Sequence, residues 1–316
     1  MRRALVLIAA AVLGLAVAPV LNLAVDPLET FRPPAVSHSP YGNDRLAKIE
    51  HLLSAPPYEG LLLGSSRTGL LDPAWASETA GRWYNLGLLG AAPSEIADVA
   101  AALVAHGKLP RTLVLGLDLF GLAPGGGAPG HLAHPVVSGR SRLGWTLDQL
   151  FAPSISALAD AAARAATGRD VVRTDYAGGG AFAMLGAPAR HTAARADRVL
   201  GAIAVDPAQL DAVRRLAAIA DAAGATLCVV WHPHEPAVLA GYDRAGIDRL
   251  KRAVTEIGAP VVDLMDAPWA RDAAAWLDAK HLAPTAARLE LDAILAQCPT
   301  ASAPPRNEPH RLSDLR

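Results

Sequence analysis

Three short stretches of the chain carry side chains that could cooperate in acyl transfer. Gly64-Ser65-Ser66-Arg67 closes a wholly apolar run that begins at Gly60. A small-residue turn leaving a buried strand can expose a hydroxyl at the edge of a sheet, because glycine tolerates backbone angles that other residues avoid. Asn85-Leu86-Gly87-Leu88-Leu89-Gly90 follows a second short strand, Arg82 to Leu86. Glycine there lets a backbone N–H approach a developing oxyanion with no side chain between them. Asp278-Ala279-Lys280-His281 lies near the end of the folded part. Its three-residue spacing lets the carboxylate orient the imidazole, which can then deprotonate a serine.

Each motif has a plainer reading. Ser66 can cap the next segment, His281 can be a surface histidine, Asp278 a solvated loop carboxylate, and Gly90 a residue that permits a tight turn. What joins them is order: serine after the first strand, glycine after the second, Asp-x-x-His before the last helix. Two further groups fall at strand ends. Arg67 could bind a substrate carboxylate or phosphate, or form a structural ion pair with Asp118. His232-Pro233-His234-Glu235 follows the strand Thr226 to Trp231. Histidines two apart on an extended segment can share a face and co-ligate zinc, but no third ligand is evident. Lining a substrate site or shaping a loop remain the readings for His232 and His234, and no metal is expected. Trp83, Trp145, Trp231, Trp269 and Trp276 are expected to pack in the core, and Lys280 to be exposed.

These groups need elements to hold them. Short apolar runs at 60–64, 112–117, 226–231 and 260–264, with the strand at 82–86, alternate with helical patterns at 93–107, 207–223, 242–257 and 284–297. A further helix is expected around 73–80. Wholly apolar strands separated by helices imply a parallel sheet covered on both faces. The expected fold is a doubly wound, flavodoxin-like α/β sheet of about five strands, with its ligand site beyond the carboxyl ends of the strands. Residues 121–190 break the rhythm with Gly125-Gly126-Gly127, a helix near 145–167 and Gly178-Gly179-Gly180. They read as an insertion, either a lid over the site or a surface excursion.

Arg2 and Arg3 precede a run from Ala4 to Val25 that holds no charge, and Asp26 and Glu29 follow it. At about 1.5 Å per residue such a helix spans a hydrocarbon core of about 30 Å. The basic flank places the N-terminus in the cytoplasm and the body outside. A cleaved signal peptide is the alternative, although Pro19 directly follows the best small-x-small site at Ala16-Val17-Ala18. A buried core helix is a third reading. Residues 1–25 are thus expected to be an anchor in the inner (cell) membrane, 26–56 a Pro-rich tether with a short helix near 44–54, 57–298 the domain, and 299–316 a disordered tail. With a net charge of −1 the chain has no basic field to recruit nucleic acid. It also lacks a Gly-rich phosphate loop, finger spacing or dinucleotide fingerprint, so no cofactor is expected. Cys228 and Cys298 leave the redox compartment open.

The order of the three motifs, over roughly residues 57–297, resembles the SGNH (GDSL-like) hydrolase superfamily. In that pattern the first block is Gly-Asp-Ser. Gly64-Ser65-Ser66 matches it with Ser65 in the aspartate's place, which implies that Ser66 is the nucleophile. The second block implies an oxyanion glycine at Gly90, with Gly87 the alternative. The last implies Asp278 as orienting acid and His281 as general base. One block departs. The family places Asn after the third strand as an oxyanion donor, whereas Gly116-Leu117-Asp118-Leu119 puts Asp118 there. Either Asp118 is protonated, or it turns away, or the oxyanion hole has fewer donors.

The Gly-Ser-Ser block on an N-terminally anchored chain looks most like the cell-envelope branch, which includes D-alanyl-lipoteichoic-acid transfer and alginate O-acetyltransferase-type proteins. The resemblance implies an esterase or O-acyltransferase working on an ester-linked acyl group of an envelope glycan or polymer, with a membrane acyl-donor protein as a further partner. A catalytically silent protein of that fold, binding glycan or scaffolding a complex, is the alternative. A generic α/β protein with coincidental motifs is another.

Overall fold

A computed structural model describes residues 17, 19–75, 81–124, 132–152, 155–185 and 205–299. Its centre is a five-stranded parallel sheet. The strands are β2 (Gly60–Gly64), β3 (Trp83–Gly87), β4 (Thr112–Leu117), β7 (Thr226–Trp231) and β8 (Val261–Asp263), in the order β3-β2-β4-β7-β8. That is the flavodoxin-like order expected from the alternation of strands and helices.

Alternation along each strand explains why the sheet needs two covers. Leu61, Leu63, Leu113, Leu115, Leu117, Val229 and Trp231 belong to one buried cluster. Leu62, Val114, Cys228 and Val230, between them in sequence, belong to the other. Successive side chains point to opposite faces of a strand, so a wholly apolar strand must be buried on both. The first face is covered by α1 (Asp44–Ser54), α3 (Pro93–Ala105), α7 (Pro207–Ala222) and α9 (Arg244–Thr255), through residues such as Ile49, Ile96, Val99, Leu216 and Leu250. The second is covered by α10 (Pro284–Gln297), through Ala287, Leu291 and Ile294, with Trp276 from the preceding loop. Each large aliphatic side chain so buried contributes about 2 kcal/mol. Trp83, Trp145, Trp231 and Trp276 are all core residues.

Cys228 of β7 and Cys298, at the end of α10, form a disulfide. The sequence alone did not pair them, because one lies within a strand and the other beyond a helix, and only the packing of α10 on β7 brings them together.

Residues 26–56 are more than a tether. Asp26, Thr30, Ser37 and Asn43 are buried, and β1 (Val36–Ser37) pairs antiparallel with β5 (Val172–Asp175), which pairs with β6 (Phe182–Met184). This second, three-stranded sheet ties the segment before the domain to the insertion. The insertion also holds α4 (Pro135–Ser138), α5 (Arg142–Phe151) and α6 (Ile155–Thr167). One helix expected near 145–167 is therefore two. The turn between β5 and β6 docks on β3, where the Asn85 N–H donates to Gly179 O at 2.7 Å and the Tyr84 hydroxyl to Tyr176 O at 2.9 Å.

Residues 19–25 are helical. No helix among the described residues is long and apolar enough to cross a membrane, and most of the Ala4–Val25 run lies outside them. So do Gly125-Gly126-Gly127, residues 76–80 of the helix expected from 73, and the tail from residue 300.

Candidate active site

The turn after β2 is built by steric necessity. Gly64 has φ +150°, and a Cβ there would sit 2.8 Å from the carbonyl oxygen of Gly116 and closer still to Thr68 Oγ1. Only glycine fits both the angle and the neighbour. Ser65 then caps α2 (Ser66–Gly69), which puts Ser66 at the first helical position. There the backbone N–H has no intrahelical acceptor and remains available to a ligand.

The loop that carries Asp278 and His281 is a closed hairpin. Leu277 N–H donates to His281 O, Ala283 N–H to Ala275 O, and Trp276 bridges Leu282. The Trp276 indole donates to Ala270 O and anchors the base of the hairpin in the core. Within it, Asp278 Oδ1 accepts the N–H groups of Lys280 and His281 at 2.7 and 2.9 Å. Its Oδ2 meets His281 Nδ1 at 2.9 Å, and His281 Nε2 meets Ser66 Oγ at 3.0 Å, across 215 residues of sequence. Burial alone would raise the Asp278 pKa. The hydrogen bond and charge of His281, with the two N–H donors, outweigh it and hold the carboxyl down at about 2. Asp278 is thus an anion at neutral pH. It fixes the proton of the imidazole on Nδ1 and leaves Nε2 to accept from Ser66.

The glycines of the second block separate. Gly87 is committed: its N–H donates to Asn85 Oδ1 at 2.7 Å, and its carbonyl accepts from the buried Lys48 Nζ at 2.5 Å. Burial lowers that lysine's pKa to about 8. Gly90 has φ +67°, is exposed, and has open space where a Cβ would be. No hydrogen bond among the described residues engages its N–H.

Asp118 is turned away from oxyanion duty. Its Oδ2 accepts from Ser65 Oγ at 2.6 Å and its Oδ1 from the Gly121 N–H at 2.7 Å. Burial would raise its pKa, but the charge of Arg67 and these two donors lower it in net. It is a carboxylate, and it offers no hydrogen. Arg67 is itself buried, with Nη1 donating to Pro233 O at 2.5 Å. It makes no direct ion pair with Asp118, but of the charges around it the Asp118 carboxylate stabilises it most.

His232 is buried in a second line behind the first. Its Nε2 meets Thr68 Oγ1 at 2.8 Å and its Nδ1 meets Glu290 Oε1 at 2.6 Å. His234 is also buried, its Nδ1 on His232 O at 3.0 Å, and burial with the nearby Arg67 charge holds it neutral, well below the ordinary imidazole range. Both histidines are almost fully buried, and His232 reaches only a small crevice that it shares with Arg67, Pro233, Lys280, Leu282 and Glu290. Among the described residues no cluster of three or more His, Cys, Asp or Glu side chains is placed to hold a metal.

Thr68, Asn85 and Glu290 were not singled out from the sequence as partners of the site. Asn85 Nδ2 donates to Thr68 O and Leu71 O at 2.7 and 2.6 Å, stapling the end of α2 to β3. A buried asparagine at the close of an apolar strand was the available signal, since a buried amide requires partners. A cleft of about 290 Å³ opens beside the hairpin, lined by Leu277 and Leu282 on either side of the Asp278–His281 pair, with Trp75, Asp72, Arg173 and Asp175. No protein-family model matches this chain, and no curated protein matches it.

Proposed function

We propose that this protein is an SGNH-type serine acyl-transfer enzyme, an esterase or O-acyltransferase acting on an ester-linked acyl group of a cell-envelope polymer. The relay Asp278–His281–Ser66, with 2.9 and 3.0 Å contacts, carries the reading. His281 Nε2 takes the Ser66 proton as Oγ attacks the acyl carbonyl. The ester C–O bond then breaks, and the leaving alcohol takes the proton from His281. An acyl group remains on Ser66. Water releases it as an acid, or a sugar hydroxyl takes it as a new ester. The N–H groups of Ser66 and Gly90 are the free donors for the oxyanion.

The envelope setting has its own support. A disulfide between Cys228 and Cys298 suits an oxidising compartment. The uncharged run Ala4–Val25 behind Arg2 and Arg3 suits an inner-membrane anchor with the body outside. The cleft beside the hairpin is walled mainly by apolar side chains, with Asp72, Arg173 and Asp175 as its charged groups, and has room for an acyl chain beside a polar carrier. A membrane acyl-donor protein is the partner that a transferase would need.

One observation favours a second reading, a silent protein of the same fold that binds glycan or scaffolds a complex. Asp118 fills the place of the oxyanion asparagine and supplies no donor. The test is hydrolysis of p-nitrophenyl acetate by the full chain beside its Ser66→Ala variant. The acyl-enzyme reading expects turnover that falls about 10³-fold or more in the variant. Equal turnover in both proteins, or none in either, rejects an esterase on Ser66. In the second case, glycan binding by both proteins with no acyl transfer to that glycan would favour the silent reading, whereas Ser66-dependent transfer would keep the acyltransferase.

A further inference from the structure

Helix α5 wears its apolar side chains outward. Trp145 and Gln149 are its buried residues. Leu143, Leu147 and Phe151, spaced by four on the opposite face, are 71%, 47% and 59% exposed. Ile155, at the start of α6, extends the ridge at 80% exposed. A helix that turns a glutamine inward and a leucine–phenylalanine stripe outward is patterned for a neighbour that is not water.

The neighbour is indicated by what is fastened to the end of that helix. Asn22, 3% exposed, donates its side-chain amide to the carbonyl oxygens of Gln149, Leu150 and Ala152 at 3.2, 2.9 and 3.0 Å. The carboxyl end of the uncharged Ala4–Val25 run is therefore locked to the C-terminus of the ridge helix. The junction is rigid as well as close. Arg32 Nη2 caps the carbonyls of Leu23 and Ala24, and the Asp26 carboxylate accepts the N–H groups of Thr30, Phe31 and Arg32. Val20, Leu21, Leu23 and Val25 around Asn22 are exposed too, so the apolar surface continues from the run onto the body.

We infer that the ridge of Leu143, Leu147, Phe151 and Ile155 lies in the interface of the phospholipid bilayer, as a second contact beside the membrane-crossing run. This rests on the reading of Ala4–Val25 as an anchor. Leucine, isoleucine and phenylalanine tips suit the boundary between headgroups and acyl chains. Two contacts joined by a rigid corner hold the body in one orientation, so the Ser66 edge faces a fixed direction relative to the membrane instead of swinging on a tether.

The test uses the full chain in phosphatidylcholine–phosphatidylglycerol vesicles. Leu147→Cys and Phe151→Cys variants carry a polarity-sensitive fluorophore, with Leu289→Cys on α10 as the water-facing control and the native disulfide left intact. Flotation with the vesicles reports the anchor, and quenching reports the ridge. The expected result is flotation, with labels at 147 and 151 blue-shifted and quenched several-fold more by nitroxide lipids than the label at 289. Flotation with labels at 147 and 151 as open to iodide as that at 289 overturns the ridge and leaves the anchor standing. Labels shielded from both quenchers mean that protein covers the ridge, a second copy included, and also overturn it. Failure to float overturns the anchor and the ridge together.

Discussion

Asp118→Asn is the substitution that the SGNH resemblance invites, since it would put an amide where that resemblance expects one after the third strand. It should weaken the protein without improving catalysis. Both hydrogen bonds can survive the change: an amide oxygen can still accept from the Gly121 N–H, and an amide nitrogen can donate to Ser65 Oγ in place of the present bond. What disappears is the negative charge beside buried Arg67, for which Asp118 is the most stabilising charge. Two unit charges at an effective dielectric of about 20 attract by about 4 kcal/mol at 4 Å. These two are not in direct contact, which reduces the figure, and the cost of burying both groups takes back a further part of it, leaving a net effect on the order of 1 kcal/mol. Relief of the carboxylate's own burial does not cancel this, because the Asp118 pKa is lowered in net despite full burial. The site prefers the anion to the neutral form. A depressed carboxyl contributes stability that is fully present above its ordinary value of 3.8 and lost as the pH falls through the lowered folded value. Guanidinium unfolding of the two full chains should therefore differ by about 1 kcal/mol at pH 7 and converge as the pH falls through the lowered Asp118 value. A variant within about 0.5 kcal/mol of the parent at pH 7, or one with raised ester turnover, would refute the argument.

Asp278→Asn should cut kcat for p-nitrophenyl acetate by about 10³–10⁴ with little change in KM, because an amide can hold the imidazole in the wrong tautomer; a loss under tenfold counts against the relay. Asp278 is held at about 2, so it should stay ionised down to pH 4, and an NMR titration of its carboxyl with a midpoint above pH 4 would reject this. Reducing the Cys228–Cys298 bond, which spans 70 residues, should lower unfolding stability by about 4 kcal/mol on loop-entropy grounds. The same denaturation curve measured with and without reductant checks this, and coincident curves would reject it. Gly64→Ala should cost about 2–3 kcal/mol, since the strained angle is joined by a collision with a backbone carbonyl. Gly90→Ala should cost about 1 kcal/mol and leave turnover nearly unchanged, since its surroundings are open and the N–H is retained. Thermal melts that rank the two in the opposite order would count against this account of both turns.

The sheet was legible because its strands are apolar on both faces, a pattern that only a doubly covered parallel sheet satisfies. The helices over 207–223 and 284–297 were legible to within a residue, because Pro207 and Pro284 mark their first positions. The meeting of Ser66, His281 and Asp278 was expected from the motif order and the SGNH resemblance that it carries. The second sheet was not legible. Val36–Ser37 is two residues long, and its partner β5 lies more than 130 residues downstream, so neither length nor periodicity could announce the pairing. The outward stripe of α5 was not legible either, since periodicity fixes spacing but not which face meets water. His232 and His234 sit at the expected sheet edge, yet sequence position could not tell a residue lining the site from one buried behind it.

That buried second line explains how so short a helix can hold Ser66 in place. A four-residue helix such as α2 has no stability of its own, and Ser66 at its start is only as fixed as its attachments. Asn85 ties the carbonyls of Thr68 and Leu71 to the end of β3. His232, braced by Glu290 of α10, ties the Thr68 hydroxyl to the end of β7, and Arg67 reaches Pro233 beyond the same strand. Gly69 backs against Gly87, where even a methyl group would collide with the Gly69 backbone. The carboxyl ends of β3 and β7 thus fix α2 from two sides, β2 leads directly into it, and the closed hairpin of residues 277–282 brings His281 to meet it. The 3.0 Å contact between Ser66 and His281 is a property of the sheet edge as a whole. Asn85, His232 and Glu290 are therefore positioning residues for Ser66, although their described contacts are to the protein itself.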